Sequence, residues 1–191
     1  MKKQGKKMVD EHALKADRVA PIEDIQLIRT RARKDIESGP VTRSYAANVK
    51  EVVQLLNGAL ATELVCVLRY RRHYYVAKGI KAQVAAAEFI EHADEELSHA
   101  YLLAERIVQL GGEPDFNPVG LAERSHAEYF AGIALQDMIK ENLIAERIAI
   151  DSYRQMVQYI GEEDPSTRRL LEEILAKEEE HSDDLIDLLE V

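Results

Sequence analysis

Cysteine is nearly absent from this 191-residue chain. Cys66 stands alone, so neither a disulfide within the chain nor a multi-cysteine zinc or iron–sulfur site can form. Tryptophan is missing, aromatic residues reach only 6%, and glycine and proline number 9 and 5. Such a composition disfavours strand-rich sandwiches and barrels, which need frequent turns, and points to long helices. No apolar run approaches the roughly 20 residues that span a bilayer, and the lysines after Met1 lead into no apolar stretch. Neither membrane insertion nor export is expected, and a reducing cytoplasm suits the lone thiol. With 46% hydrophobic residues, the chain has enough apolar material for one well-packed domain.

Positive charge is also scarce, but unevenly so. The formal charge of −10 divides into 11 Lys/Arg against 7 Asp/Glu in residues 1–43 and 14 against 28 in residues 44–191. The body therefore attracts cations, and the leading segment attracts anions. Residues 1–43 read as a basic N-terminal arm: Lys2, Lys3, Lys6 and Lys7 open a polar tail, a short helical pattern runs from Ile22 to Ile36, and Gly39-Pro40 stops it.

From Asn48 onward the three-to-four spacing of a buried helix face takes over. Val49, Val52, Leu56, Ala59, Glu63, Cys66, Tyr70 and Tyr74 mark a first long helix ending at Lys78-Gly79. Ala85, Phe89, His92, Glu96, His99, Leu103, Ile107 and Leu110 mark a second, stopped by Gly111-Gly112. The next twenty or so residues, with Pro114, Pro118 and Gly120, exceed what a hairpin needs and read as a crossover along the bundle. Leu135, Met138, Asn142, Ala145, Glu146, Ala149, Tyr153, Met156 and Ile160 mark a third helix, and Ile174, Glu178, His181, Leu185 and Leu188 a fourth. The expected architecture is all-α: a four-helix bundle over residues 44–191 with a long crossover between its second and third helices.

Six residues in these stripes do not belong in an apolar core. They are Glu63, the pair Glu96 and His99, Glu146, and the pair Glu178 and His181. Ionised groups cost several kcal/mol each to bury without compensation. Two divalent cations would compensate, because four carboxylates supply the matching charge and each Glu-x-x-His presents an oxygen and a nitrogen on one helix face. A Glu-x-x-His pair alone is weak, and a third copy, Glu123 and His126, falls in the crossover and reads as surface. The repeat is what carries weight. Glu63 precedes Glu96 by 33 residues, Glu146 precedes Glu178 by 32, and Tyr70 and Tyr153 each lie seven residues after the first Glu of their half.

One Glu from each of two helices and Glu-x-x-His from each of the other two resembles the ferritin-like di-iron carboxylate family. More narrowly, residues 55–69 (LLNGALATELVCVLR), 91–114 (EHADEELSHAYLLAERIVQLGGEP) and 174–184 (ILAKEEEHSDD) resemble bacterioferritin. The resemblance implies a ferroxidase that oxidises Fe²⁺ with dioxygen or peroxide and stores Fe³⁺ as mineral in an oligomeric cage. It makes Glu63, Glu96, His99, Glu146, Glu178 and His181 ligands to two irons per subunit, with Tyr70 beside them. Manganese would accept the same ligands, whereas a closed zinc site prefers four tetrahedral nitrogen or sulfur donors. Leu97 stands where bacterioferritins carry a haem-ligating Met, so no haem is expected. Only ten residues follow His181, leaving no counterpart to the family's fifth helix. A 12-subunit homo-oligomer, as in the starvation-induced mini-ferritins, is therefore favoured over 24. Glu91 and Glu95, one turn apart, are candidates for an inward iron-relay patch. Two alternatives are a Dps-like mini-ferritin that protects DNA through the basic arm, and a di-iron or di-manganese oxidoreductase that stores nothing.

Overall fold

The computed structural model describes residues 22–79 and 82–190. Among them every regular element is a helix: α1 Ile25–Lys34, α2 Val49–Val76, α3 Ala82–Gln109, α4 Leu121–Arg124, α5 Leu135–Ile160 and α6 Pro165–Glu190. The expected lysine tail lies outside the described residues. The described residues divide into two units, one ending at Ser38 and one beginning at Gly39.

In the first unit, α1 is narrower than the Ile22–Ile36 pattern. Asp24 starts it by accepting a hydrogen bond from the Gln26 N–H at 2.8 Å, and Arg31 reaches back to Glu23 at 2.7 Å. The second unit begins at Gly39, earlier than the expected boundary at residue 44. Val41, Tyr45 and Ala47 pack against the bundle core, and the Tyr45 hydroxyl donates to Asp164 at 2.8 Å.

The bundle consists of two hairpins, α2 with α3 and α5 with α6. Asn48 caps α2 by accepting from the Lys50 and Glu51 N–H groups. At the end of α3, Gly111 adopts φ +78°, and the Gly112 N–H returns to the Ile107 carbonyl at 2.9 Å. Gly112 must stay small, since a Cβ there would stand 2.7 Å from the Val53 side chain. Asp164 and Pro165 start α6 as N-cap and first helical residue. The Asp164 carboxylate accepts from the Thr167 N–H at 3.0 Å and from Arg106 at 2.9 and 3.0 Å.

The crossover is held by side chains along α2. Asn57 binds the backbone of Glu113 and Asp115, Thr62 that of His126, Arg69 the Glu128 carbonyl, and His73 the Phe130 and Ala131 carbonyls. It therefore runs in the direction of α2 and delivers α5 antiparallel to α2 and parallel to α3, an orientation that periodicity alone leaves open. His73, not Tyr74, is the inward residue at that turn; Asn142 and the crossover carbonyls satisfy its ring while Tyr74 is exposed. Glu123 and His126 are both exposed, as a surface reading requires.

By length and composition alone α2 could cross a membrane, but 56% of its most apolar window is buried within the protein. Its apolar face belongs to two core clusters. One joins Leu56, Leu60, Leu103, Ile107, Met156 and Ile174; the other joins Cys66, Tyr70, Phe89, Ala93, Ala145 and Leu185. The polar layer described next lies between them.

Candidate metal centre

Glu63 on α2, Glu96 and His99 on α3, Glu146 on α5, and Glu178 and His181 on α6 meet in the middle of the bundle. None is more than 7% exposed. Their ligand atoms form two overlapping groups: Glu63, Glu96, His99 and Glu178, and then Glu96, Glu146, Glu178 and His181. Glu96 and Glu178 are common to both, which gives them the position of bridges. The His99 Nδ1 atom lies 3.3 Å from Glu63, 3.4 Å from Glu96 and 3.1 Å from Glu178. The His181 Nδ1 atom lies 3.9 Å from both Glu146 and Glu178.

These atoms are close without being hydrogen-bonded. Among the described residues, twelve buried side-chain nitrogen or oxygen atoms lack a partner, and eight belong to this cluster: Glu63 Oε2, both oxygens of Glu96 and of Glu178, Glu146 Oε2, and Nδ1 of His99 and of His181. Native interiors leave only a few such atoms per hundred residues, so eight gathered in one place need a common explanation. Eight converging on two points, with oxygen predominating and imidazole nitrogen supplementing it, fit two borderline or hard divalent cations such as Fe²⁺ or Mn²⁺.

The remaining atoms of the cluster are tied down. The His181 Nε2–H donates to Glu95 Oε2 at 2.6 Å, which leaves the Nδ1 lone pair facing Glu146 and Glu178. The tyrosines cross between the halves: Tyr70 of α2 donates to Glu146 of α5, and Tyr153 of α5 donates to Glu63 of α2. The two-fold relation visible in the spacing thus exists as reciprocal contacts.

Protonation follows from the same geometry. Burial first, and neighbouring carboxylates second, push Glu96 and Glu178 well above the usual carboxyl range. Burial, the largest influence on Glu63, would raise it too, but contacts from Glu96, His99 and the Tyr153 hydroxyl outweigh it and hold Glu63 low. Burial opposes charge on His99, yet Glu63 and Glu96 raise it to about 10. Burial and mutual repulsion thus favour the neutral form of Glu96 and Glu178, while Glu63 and Glu96 favour the charged form of His99.

Two side chains acquire parts that their sequence positions do not reveal. Glu95 is not free to join Glu91 in a patch, since it holds His181 and also lies 3.3 Å from Lys177; Glu91 is exposed. His92, a member of the α3 stripe, stacks on His181 with ring centroids 4.1 Å apart and contacts the Tyr70 oxygen at 3.3 Å. No spacing rule signals the two contacts with His181, because both depend on the approach of α6 to α3.

A four-helix bundle with four carboxylates and two imidazoles facing inward defines the dinuclear carboxylate class. Residues 53–191 match the ferritin-like domain family, and the chain belongs to it. It is 31% identical over 137 residues to a nutrient stress-induced DNA-binding protein of Synechococcus, covering 69% of this chain and 77% of the relative. It is 30% identical over 132 residues to a bacterioferritin of Desulfovibrio desulfuricans, covering 69% and 70% respectively. Among solved structures, the dodecameric thioferritin of Bacteroides fragilis, a bacterioferritin-related protein, superposes with a TM-score of 0.73 at 34% identity, covering 75% of this chain and 87% of that one.

Proposed function

We propose that the protein oxidises Fe²⁺ at the centre formed by Glu63, Glu96, His99, Glu146, Glu178 and His181, and stores the resulting Fe³⁺ inside a homo-oligomeric cage in the cytoplasm. The observation that carries this reading is the convergence of eight unpartnered buried ligand atoms from six residues. Iron is here the substrate. Glu63 and His99 hold one ion, Glu146 and His181 the other, and Glu96 and Glu178 span both.

Two Fe²⁺ match the four negative charges of the ionised carboxylates. Each ion gives one electron, and the pair reduces dioxygen with two protons to hydrogen peroxide, or peroxide with two protons to water. Glu96 and Glu178 must surrender their protons when iron enters, so binding releases acid and strengthens as pH rises. Glu95 fixes the His181 ring, and Tyr70 and Tyr153 position Glu146 and Glu63 through their hydroxyls.

Cage formation is consistent with the exposed apolar side chains on the bundle, Leu68 and Tyr75 on α2 and Tyr101, Leu102 and Val108 on α3, which contact with other copies would cover. The Bacteroides relative is dodecameric, and twelve copies is the assembly proposed here. A second reading adds DNA protection. The net +4 segment precedes a net −14 body, and the Synechococcus relative is a DNA-binding protein. Arg29, Arg33 and Lys34 of α1 would join the terminal lysines on phosphates, with Arg31 already engaged by Glu23.

Stopped-flow absorbance on anaerobic protein mixed with Fe²⁺ and then oxygen tests the main reading. A fast phase saturating at two Fe²⁺ per subunit, lost in Glu96→Ala and Glu178→Ala, is expected. Equal fast phases in wild type and both variants would overturn it. A sizing column separates a storing cage from a non-storing oxidoreductase, and gel retardation across a salt series tests the arm.

A further inference from the structure

Among the described residues, four unpartnered buried atoms lie outside the dinuclear cluster, on Arg31, His92, Arg124 and Asn142, and the one on His92 faces carboxylates of both α3 and α6. His92 is 1% exposed, and its Nε2 atom has no hydrogen-bond partner. It points toward two carboxylates, Asp184 Oδ2 at 3.5 Å and Glu88 Oε2 at 3.8 Å. Glu88 sits one turn before His92 on α3, and Asp184 sits three residues after His181 on α6. Neither carboxylate belongs to the dinuclear set.

Hydrogen-bond accounting fixes the state of this ring. The Tyr70 hydroxyl spends its proton on Glu146, so its oxygen faces His92 Nδ1, 3.3 Å away, as an acceptor. Nδ1 must therefore carry the hydrogen, and the neutral tautomer leaves a lone pair on Nε2. That lone pair faces two acceptor-only carboxylates. Three acceptors converging on one point, one of them on a buried imidazole oriented by Tyr70, make a donor set for a cation.

We infer that Glu88, His92 and Asp184 form a third metal site that takes one borderline divalent cation such as Zn²⁺, Mn²⁺ or Fe²⁺. One nitrogen and two oxygens suit that class better than Ca²⁺ or Mg²⁺, which avoid imidazole. Ligand atoms around such an ion stand roughly 3.0–3.4 Å apart at bond lengths near 2.1 Å. The observed 3.5 and 3.8 Å need only a small contraction by the two carboxylate side chains, which are 32% and 45% exposed and free to move. The open side leaves room for water ligands and for exchange. The buried side adjoins the dinuclear centre, because the His92 ring stacks on His181 and holds Tyr70, which in turn holds Glu146.

The site stands apart from the ferroxidase reading, and the experiment keeps the two separable. Full-length protein is dialysed to equilibrium against Zn²⁺ and its metal content measured per subunit. Wild type is expected to hold three ions. Asp184→Asn and Glu88→Gln, partly exposed changes that leave the core packing alone, are expected to hold two, and His92→Gln likewise. The Glu96→Ala Glu178→Ala double variant is expected to retain the third site while losing the pair, and Asp184→Asn in that background to remove the last ion. Equal Zn²⁺ content in wild type, Asp184→Asn and Glu88→Gln would overturn the inference, whatever the double variant does.

Discussion

Replacing Glu96 by leucine is expected to stabilise the metal-free protein. Glu96 is buried, neither of its oxygens has a hydrogen-bond partner, and three other carboxylates push on it. Each unsatisfied acceptor costs about 1–3 kcal/mol, while a fully buried leucine contributes about 1.5–3 kcal/mol. Against this stands the loss of its 3.4 Å contact with His99, which Glu63 and Glu178 still surround. Because His99 keeps Glu63 and Glu178 as partners and three carboxylates no longer face a fourth, the net gain is expected to be about 1–2 kcal/mol. For a chain of this length each kcal/mol moves Tm by about 2–4 °C.

The sign reverses with metal. Cations that bind only the folded wild type add about 2.7 kcal/mol at a hundredfold excess over Kd, and a leucine side chain has no ligand atom with which to bridge them. The assay is therefore a pair of thermal melts, with chelator and with Mn²⁺, on wild type and Glu96→Leu. The variant should melt higher in chelator and lower in metal. The pH dependence has a defined direction too. The folded Glu96 carboxyl is raised above its unfolded value of 4.5, so wild type is at its relative best below that pH and loses stability as pH climbs toward the raised value. Leucine does not titrate, and the gap in chelator should widen from pH 5 to 7. A Glu96→Leu protein that melts below wild type in chelator at pH 7 would refute the claim that the metal-free carboxylate cluster is a liability.

Glu95→Ala should weaken metal binding about 10–100-fold while leaving a folded bundle, because His181 loses the group that fixes its tautomer; the Fe²⁺ dependence of the fast phase measures it. Asp164→Ala should cost about 3–5 kcal/mol in urea unfolding, since it strands Arg106 and uncaps α6. Burial would raise Asp164, but hydrogen bonds from Thr167, Tyr45 and Arg106 hold it below its ordinary 3.8, so its contribution should persist above that pH and vanish as pH falls through the lowered value. Gly112→Ala should destabilise by about 1–3 kcal/mol, because the new methyl collides with Val53; denaturant midpoints would register it.

The helices were legible because each buries one stripe, and the stripes of α2, α3, α5 and α6 carry it in unbroken three-to-four spacing. The six inward polar residues were legible for the same reason, as charges standing where leucine belongs. Their assignment to two overlapping groups was not, because sharing of Glu96 and Glu178 depends on how far each helix is rotated about its axis. Glu95 neighbours a site residue in sequence and looks like solvated surface until α6 brings His181 Nε2 to it. His92 lies on the stripe, but its partners Glu88 and Asp184 lie at the stripe's edge on two different helices. His73 displaced Tyr74 from the core because Asn142 and the crossover carbonyls satisfy its ring, partners that no local pattern encodes.

Anomalous difference maps from crystals grown with Fe²⁺ under anaerobic conditions and measured at the iron edge test the central claim most directly. The account predicts two peaks among the six ligands, about 3.5–4 Å apart, with Glu96 and Glu178 between them and Glu63/His99 and Glu146/His181 on either side, distinct from any peak at Glu88, His92 and Asp184. A single peak, or none, among these six residues would contradict it.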